Sequence, residues 1–254
     1  MAIAPDRKAV QQSVLTVLAA NMSCSVRDLL SDGVSIHAAE RREGAFRFPN
    51  RAKSLQAASI GNGAVVSCSI ERLEWVIKHA GRLSRGQLFS IPTLALLDAF
   101  VKPDHQYMAG PDQKYVCSVD RLVHVEAPDD IIVRMQDRNR IMDLYAFPHF
   151  KHALSFRADS PRPDRLAAVA EYRGEIVGIA GASEDCELMW QIGVDVLPDY
   201  QGRGIGRALV GKLAKEVLHE GITPYYSTEV SNLKSRQLAV SLGFWPAWIE
   251  VYAR

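Results

Sequence analysis

The stretch from Trp190 to Leu218 most constrains the fold, because its hydrophobic period changes once, at a cluster of glycines. Before the cluster, β-branched residues alternate with other residues, which is typical of a strand. Pro198 then ends the strand, because proline cannot donate to a sheet ladder. After the glycines, apolar residues return every three or four positions, which predicts an amphipathic helix. The sequence therefore predicts a strand, a glycine-rich turn and a helix in that order.

The glycine-rich turn, from Gln201 to Gly206, predicts a phosphate-binding loop. The first N–H groups of a helix have no partner within the helix, and the helix dipole places partial positive charge beside them. Glycines let a ligand approach the backbone closely, and Arg203 or Arg207 can add charge. A tight connection between strand and helix is the alternative, but it needs fewer glycines. A diphosphate is therefore the expected ligand.

Two common nucleotide motifs do not fit this turn. The dinucleotide fingerprint G-x-G-x-x-G fails in both reading frames, because an arginine or a leucine stands where the last glycine belongs. A near-match to the P-loop begins at Gly206, but Leu213 occupies the position of the magnesium-binding Ser or Thr. That near-match also lies inside the predicted helix rather than before it.

The pattern Q/R-x-x-G-x-G/A does fit, and V-x-V-x-P-x-Y precedes it. Together they closely resemble the acyl-CoA pyrophosphate loop of the GNAT N-acetyltransferase superfamily, and the resemblance covers roughly residues 130 to 254. It implies an α/β fold with a mixed α+β sheet that binds acyl-CoA, and an acyl-CoA-dependent N-acetyltransferase. The residues that it implies for cofactor binding are Val194, Val196, Gln201, Gly202, Arg203, Gly204, Ile205, Gly206, Arg207, Asn232 and Ser235.

A second signature of the family, N-x-x-A-x-x-L-Y followed by G-F, is matched at Asn232, Leu238, Gly243 and Phe244. Asn232 would contact the pantetheine arm, although an ordinary N-cap role is compatible with that. Ala239 stands where the family commonly has the tyrosine that protonates the departing CoA thiolate. Tyr226 is the candidate substitute, and the alternatives are Tyr225, Ser227 and Tyr252. Because a thiol has a pKa of about 8.5, the loss of that tyrosine would slow transfer rather than abolish it.

The remaining chemistry of acyl transfer needs a base and an oxyanion donor. A substrate ammonium must lose a proton before it attacks, and Glu187, just before the core strand, is the first candidate for the base. Asp195 and Asp185 are weaker candidates. The backbone N–H of Val194 would polarise the thioester, as the resemblance implies. None of these steps requires a metal.

The predicted function is therefore transfer of an acetyl group from acetyl-CoA to a primary amine of a small molecule or protein. The resemblance implies direct attack within a ternary complex. A non-catalytic acyl-CoA-binding or regulatory module is an alternative that Ala239 keeps open. An acyltransferase for a different acyl group or acceptor is another.

Length and composition suggest two domains. The chain has 254 residues, of which 48% are hydrophobic and 23% charged, an ordinary globular composition. The first domain, residues 1–122, is predicted to be a small α/β unit that is either a degenerate copy of the same fold or a separate recognition domain. The second, residues 123–254, is the predicted acetyltransferase domain, and the boundary is placed near a charged, proline-containing link at residues 126–130.

The net charge and the cysteines limit the partners and the cellular location that the sequence predicts. A net charge of +1 offers no basic field for nucleic acid, and no apolar stretch is long enough for a membrane helix. The four cysteines are scattered, and no secretion signal is recognised, so a reducing cytoplasmic location is expected. The expected partners are acetyl-CoA and an amine acceptor. A homodimer and a monomer are both compatible with the sequence.

Three further segments have predicted structures that bear on the fold. Residues 106–118 read as a strand, a Gly-Pro turn and a second strand. Residues 138–144 and 148–154 read as helical material. The acceptor groove is expected to include residues 138–156 and the first domain.

Overall fold

The computed structural model describes residues 3–47 and 54–254. The helices in these residues are Arg7–Asn21 (α1), Val26–Leu30 (α2), Leu73–Ala80 (α3), Arg85–Leu88 (α4), Ile91–Val101 (α5), Ile141–Leu144 (α6), Ile205–His219 (α7) and Leu233–Ser241 (α8). The strands are Val34–Ala38 (β1), Leu55–Ser59 (β2), Ala64–Cys68 (β3), Met108–Val116 (β4), Ile132–Gln136 (β5), Asp164–Tyr172 (β6), Glu175–Glu184 (β7), Met189–Val196 (β8), Thr223–Glu229 (β9) and Trp245–Ala253 (β10). None of the described helices is both long enough and apolar enough to span a bilayer.

The chain divides into two compact units that are not consecutive in sequence. Unit 1 comprises the chain up to Ser13, Tyr115–Ser227 and Asn232–Pro246. Unit 2 comprises Val14–Lys114, Thr228–Ser231 and Ala247–Arg254. This division differs from the single boundary predicted after residue 122, and the two consecutive domains stay a prediction.

Unit 1 is a mixed sheet in the order β9-β8-β7-β6-β5. Strands β5 to β8 pair antiparallel, and β8 pairs parallel with β9. The turn between β6 and β7 is Arg173-Gly174, and both residues have positive φ, at 50° and 85°. Those angles suit a two-residue hairpin turn, because the backbone twist of such a turn matches that of the strands. The mixed α/β fold predicted for this part of the chain is confirmed.

The two faces of the unit 1 sheet bury different cores. Helix α7 covers one face, where Ile192 and Leu209 belong to a large apolar cluster. Residues 141–154 cover the other face, where Ala167 and Ile179 pack against Phe150 and Leu154. Successive strand residues point to opposite faces, and β6 and β7 contribute residues to both cores.

Unit 2 has its own sheet and core. Its strands follow the order β1-β3-β2-β10-β4, in which β1 pairs parallel with β3 and β2 pairs antiparallel with both β3 and β10. Apolar residues of β2 and β3 pack with residues of α3 and α5, among them Val66, Val76, Leu97 and Val101. Strands β1 and β2 were not anticipated from the sequence.

Two predicted elements are wrong. The segment 106–118 contains one strand, β4, rather than a hairpin. Within this strand Gly110 has a φ of 94°, and a side chain there would overlap the Glu250 carbonyl. The chain nevertheless continues in one direction to Val116, so no hairpin forms. Of the predicted helical material, only α6 is helical, and residues 148–154 form turns. Those turns pack directly against the sheet. They approach it so closely that a Cβ on Gly181 or Gly193 would overlap the carbonyl oxygens of Ala153 and His152, respectively.

Candidate active site

The glycine-rich loop joins β8 to α7 as the sequence predicts. Gly202 and Gly204 have φ values of 77° and 85°, and Gly204 is the N-cap of α7. A Cβ at either position would meet no atom within 4 Å, so space lies open in front of the loop. The first helical hydrogen bond of α7 runs from the Ala208 N–H to the Gly204 carbonyl. The amides of residues 205–207 therefore precede the helical ladder, and a bound anion can accept from them.

Gln201 and Gly206 hold the loop against its surroundings. The Gln201 Nε2 donates to the Val196 carbonyl at 3.1 Å, which closes the loop onto the end of β8. At Gly206 a Cβ would lie 3.2 Å from Leu238 Cδ1 on α8, so the absence of a side chain lets α8 approach α7. Local structure therefore explains why glutamine occupies position 201 and glycine position 206.

Two neighbouring strands separate beside this loop. The ladder between β8 and β9 ends at Ile192 and Tyr226, although β8 continues to Val196. The Leu197 N–H donates to the β7 residue Val177, whereas the Leu188 carbonyl accepts from the β9 residue Thr223. Backbone groups alternate sides along a strand, so the even-numbered residues direct theirs towards β9. The N–H groups of Val194 and Val196 therefore face the opening between β8 and β9, here called the strand gap.

Helix α8 brings three predicted residues together near the strand gap. Asn232 is its N-cap, and its Oδ1 accepts from the Ser235 N–H at 3.1 Å. Ser235 also forms a side-chain hydrogen bond with the phenol of Tyr226, which is 5% exposed. Burial raises the pKa of Tyr226 above its ordinary value, and this outweighs the opposing effect of Ser235. The phenol of Tyr226 is therefore held in its protonated form more strongly than the phenol of an exposed tyrosine.

The two loop arginines are engaged by protein groups. Arg203 Nη2 donates to Asp130 at 2.5 Å, and its guanidinium carbon lies 5.6 Å from the ring centroids of both Tyr172 and Tyr200. Arg207 Nη2 lies 3.5 Å from the Ser241 carbonyl. Backbone amides rather than these side chains are therefore the donors that face the open space in front of the loop.

The predicted acid and base candidates lie in different places. Glu187 is exposed and precedes Val194 by seven positions, which corresponds to about 20 Å along an extended strand. The structure does not bring it together with the loop. Asp195 neighbours Val194 on β8, and its Oδ2 accepts the His152 N–H at 2.6 Å on the face opposite α7. Asp185 is fully buried in a polar cluster before β8.

Sequence reasoning missed how residues 150–154 cover β8. His152 and Ala153 approach Gly193 and Gly181 so closely that only glycine fits there. Paired glycines inside predicted strands were the available signal, because they mark close approach of another backbone. It also missed the hydrogen-bonded cluster of Arg162, Ser183, Asp185, Gln191 and Tyr225.

Comparison with known proteins decides the family. Residues 134–244 match the model of the acetyltransferase (GNAT) family. Residues 134–244 form a GNAT acetyltransferase domain. The match runs from within β5 to the residue before β10 and includes the glycine-rich loop. For this domain it confirms the predicted family and its enzyme class, the acyl-CoA-dependent N-acetyltransferases. A search of curated protein sequences finds no match.

Several solved structures are distantly similar to this chain. A GNAT-family structure from Novosphingobium aromaticivorans is 17% identical, with 58% of this chain and 66% of that chain aligned and a TM-score of 0.45. A GCN5-related N-acetyltransferase-like protein from Streptococcus suis is 18% identical over 65% of this chain and 69% of that one, with a TM-score of 0.47. Aminoglycoside N-acetyltransferase AAC(6')-Iy in complex with CoA is 17% identical over 48% and 92%, with a TM-score of 0.36. About a third of each of the first two structures has no aligned counterpart, so the family assignment rests on the family match.

No group of three or more His, Cys, Asp or Glu residues in the described part of the chain is arranged to hold a metal ion. Whether the reaction needs a metal is a separate question, and metal independence stays a prediction. The cytoplasmic location, the lack of nucleic-acid and membrane partners, and the homodimer also stay predictions.

Proposed function

We propose that the GNAT domain transfers an acetyl group from acetyl-CoA to a primary amine by direct attack within a ternary complex. The observation that carries this proposal is the strand gap, into which Val194 and Val196 direct their amides beside the open glycine loop. One end of the gap can hold a diphosphate and the other a thioester. A cofactor that carries both groups on one extended arm matches this arrangement.

The diphosphate of CoA is assigned to the start of α7. Gly204 has a left-handed backbone that a side chain would strain, and the space in front of it is open. The amides of residues 205–207 and the positive end of the helix dipole then face the phosphate oxygens. Arg203 is held by Asp130, so it contributes through its field and its backbone.

The pantetheine arm is assigned to the strand gap, where it adds to β8 as an extended strand would. The Val194 N–H donates to the thioester oxygen and stabilises the tetrahedral oxyanion, an interaction commonly worth about 3 to 4 kcal/mol in comparable sites. Asn232 and Ser235 border the arm from the start of α8. Tyr226, which Ser235 orients, donates the proton to the departing thiolate.

The acceptor amine must be neutral when it attacks. Glu187 lies at the far end of β8, so we assign the base to Asp195, acting directly or through a water molecule. Asp195 adjoins Val194 on the strand and occupies the face that residues 141–154 cover. Asp195 takes one proton from the ammonium, and the nitrogen lone pair then forms the bond to the carbonyl carbon. As the tetrahedral intermediate collapses, the carbon–sulfur bond electrons leave with CoA, and the thiolate takes a proton from Tyr226. The nitrogen loses its second proton through water, which returns a proton to Tyr226 and leaves a neutral amide.

The test is calorimetric titration with acetyl-CoA, CoA and 3′-dephospho-CoA. We expect Gly204→Val to weaken acetyl-CoA binding at least tenfold, because its side chain occupies the space of the diphosphate. Gly174→Val is the matched control, because Gly174 has the same φ of 85° and equally open surroundings in the β6–β7 turn. It carries the same backbone strain without touching the loop.

Gly206→Glu is a second variant, which adds negative charge at the start of α7. Unchanged acetyl-CoA affinity in folded Gly204→Val and Gly206→Glu proteins would refute the diphosphate assignment. Binding followed by thiol release with an amine would support transfer, and binding with no acceptor turnover would favour the non-catalytic module that Ala239 leaves open.

A further inference from the structure

Unit 1 contains a buried polar cluster that the proposed mechanism does not use, here called the Asp185 cluster. Asp185 is 0% exposed. It accepts from Arg162 Nη1 at 3.2 and 3.3 Å, from Ser183 Oγ at 2.9 Å and from the Tyr225 hydroxyl. Gln191 Oε1 joins the cluster by accepting from Tyr225 at 3.1 Å and from Arg162 at 3.4 Å.

The Asp185 cluster lies at the closed end of the strand gap. Gln191 and Tyr225 pair in the ladder between β8 and β9, one step before the last pair. Both belong to the odd-numbered set on β8 and β9, so they share the face of Gly193 rather than that of α7. The cofactor enters the gap from the glycine loop at the other end. Residues 150–154 already cover Gly193 and Asp195, so the space left for an acceptor is the opening between β8 and β9 beyond Gln191 and Tyr225.

The two partly exposed side chains of the cluster, Arg162 and Gln191, both carry hydrogen-bond donors. The carboxylate of Asp185 is entirely covered, whereas the Arg162 side chain is 28% exposed. Gln191 is partly exposed, and two donors engage its Oε1, which turns its NH₂ group away from the cluster. Burial raises the pKa of Asp185, and the Arg162 guanidinium opposes that rise, so the two are held as a pair. A planar guanidinium beside an amide NH₂ group suits a planar carboxylate.

We propose that the Asp185 cluster binds a carboxylate on the acceptor, with Arg162 and Gln191 as donors and Asp185 as the positioning residue behind Arg162. This inference rests on the proposed function for the identity of the reacting amine. Gln191 precedes Val194 by three positions, or about 10 Å along the strand. The acceptor therefore carries its amine and its carboxylate several carbons apart, unlike an α-amino acid that reacts at its α-amine.

The experiment uses ω-amino carboxylates of increasing length and the corresponding amides, which lack the negative charge. Binding to the full chain saturated with CoA is measured by calorimetry, and transfer from acetyl-CoA is measured by thiol release. We expect at least tenfold tighter binding of 6-aminohexanoate than of 6-aminohexanamide, and weaker binding of glycine. Equal binding of acid and amide at every length would overturn the proposal. Carboxylate-selective binding without transfer would support the cluster and count against the proposed reaction alone.

Arg162→Gln is expected to remove the preference for the acid while acetyl-CoA affinity stays unchanged. The matched control is Arg157→Gln, an exposed arginine of the same connecting segment that pairs with Asp159 outside the cluster. Because Arg162→Gln leaves a buried charge without its partner, the double variant Arg162→Gln/Asp185→Asn keeps the charge balanced. Retained acid preference in a folded double variant would sink the assignment.

Discussion

At the scale of single residues, Tyr226 is the test of how this domain manages without the tyrosine replaced by Ala239. Its phenol is buried and hydrogen-bonded to Ser235, and burial raises its pKa. Tyr226→Phe should lower kcat by about tenfold to hundredfold, below or at the low end of general-acid effects, because a thiolate leaves without much help. The KM for acetyl-CoA should not change. The pH dependence of kcat checks the role, since the alkaline limb that reports phenol ionisation should disappear.

Ser235→Ala provides the comparison for Tyr226→Phe. It removes the hydrogen bond but keeps the phenol, so its effect on kcat should be smaller and its alkaline limb should persist. A Tyr226→Phe protein with normal kcat and an unchanged pH profile would assign Tyr226 to packing alone.

The sequence predicts residues well where the reason for them is local. The sequence predicts Gly202 and Gly204 as part of an anion-binding turn, where glycine tolerates positive φ, and both residues have it. It indicates Glu187 as a base because this carboxylate is next to the core strand. The length of that strand places Glu187 and Val194 near opposite ends of it. Asp185 and Gln191 could not be joined from the sequence, because their contact depends on Tyr225 from a parallel strand.

At the scale of elements, the fit between β8 and the turns at residues 150–154 depends on Gly193. A Cβ at this position would overlap the backbone oxygen of His152, which no change of rotamer can relieve. Gly193→Ala should therefore lower the free energy of unfolding by about 3 kcal/mol or more, at the upper end of overpacking effects. Urea denaturation followed by circular dichroism measures the change.

Gly86→Ala is the control of opposite sign. Gly86 lies within α4, and a Cβ there would contact nothing within 4 Å. Alanine is the better helix former by about 0.5 to 1 kcal/mol, so this variant should be neutral or more stable. If Gly193→Ala is equally well tolerated, residues 150–154 do not pack on β8 as described.

Elements with regular periodicity follow from the sequence, and those shaped by distant contacts do not. Strands β6 to β9 and helices α7 and α8 have clear hydrophobic patterns bounded by glycine or proline, and the structure forms each of them. Residues 148–154 have apolar spacing that suits a helix. They instead lie flat on two glycines of the sheet, and that contact depends on strands far away in sequence.

At the scale of the whole molecule, the sequence pattern does not indicate the two units into which the structure divides. The sequence offers a charged, proline-containing link, which led to a single boundary after residue 122. Each observed unit is built from several separate segments of the chain, because strands that are distant in sequence pair with one another. Tyr115 and Cys117 precede the predicted boundary, yet they belong to the core that includes Ile192 and Leu209.

The four buried cysteines can test this division. Cys24 and Cys68 lie in unit 2, whereas Cys117 and Cys186 lie in unit 1. Burial raises the thiol pKa to about 11 for Cys24 and Cys68 and to about 12 for Cys117. Near pH 8 the folded protein therefore holds almost no reactive thiolate at these sites. A thiol reagent should label them only after the surrounding unit opens, and mass spectrometry of peptides follows each site separately.

Acetyl-CoA should protect the unit that binds it. A ligand at a hundred times its Kd stabilises the binding state by about 2.7 kcal/mol, which slows labelling through opening of that unit by about a hundredfold. We expect Cys117 and Cys186 to be protected together, with Cys24 and Cys68 affected less. Cys117 is decisive, because the boundary after residue 122 would group it with Cys24 and Cys68. Protection of Cys186 alone would therefore favour two consecutive domains, and equal protection of all four thiols would mean that the chain opens as one cooperative body.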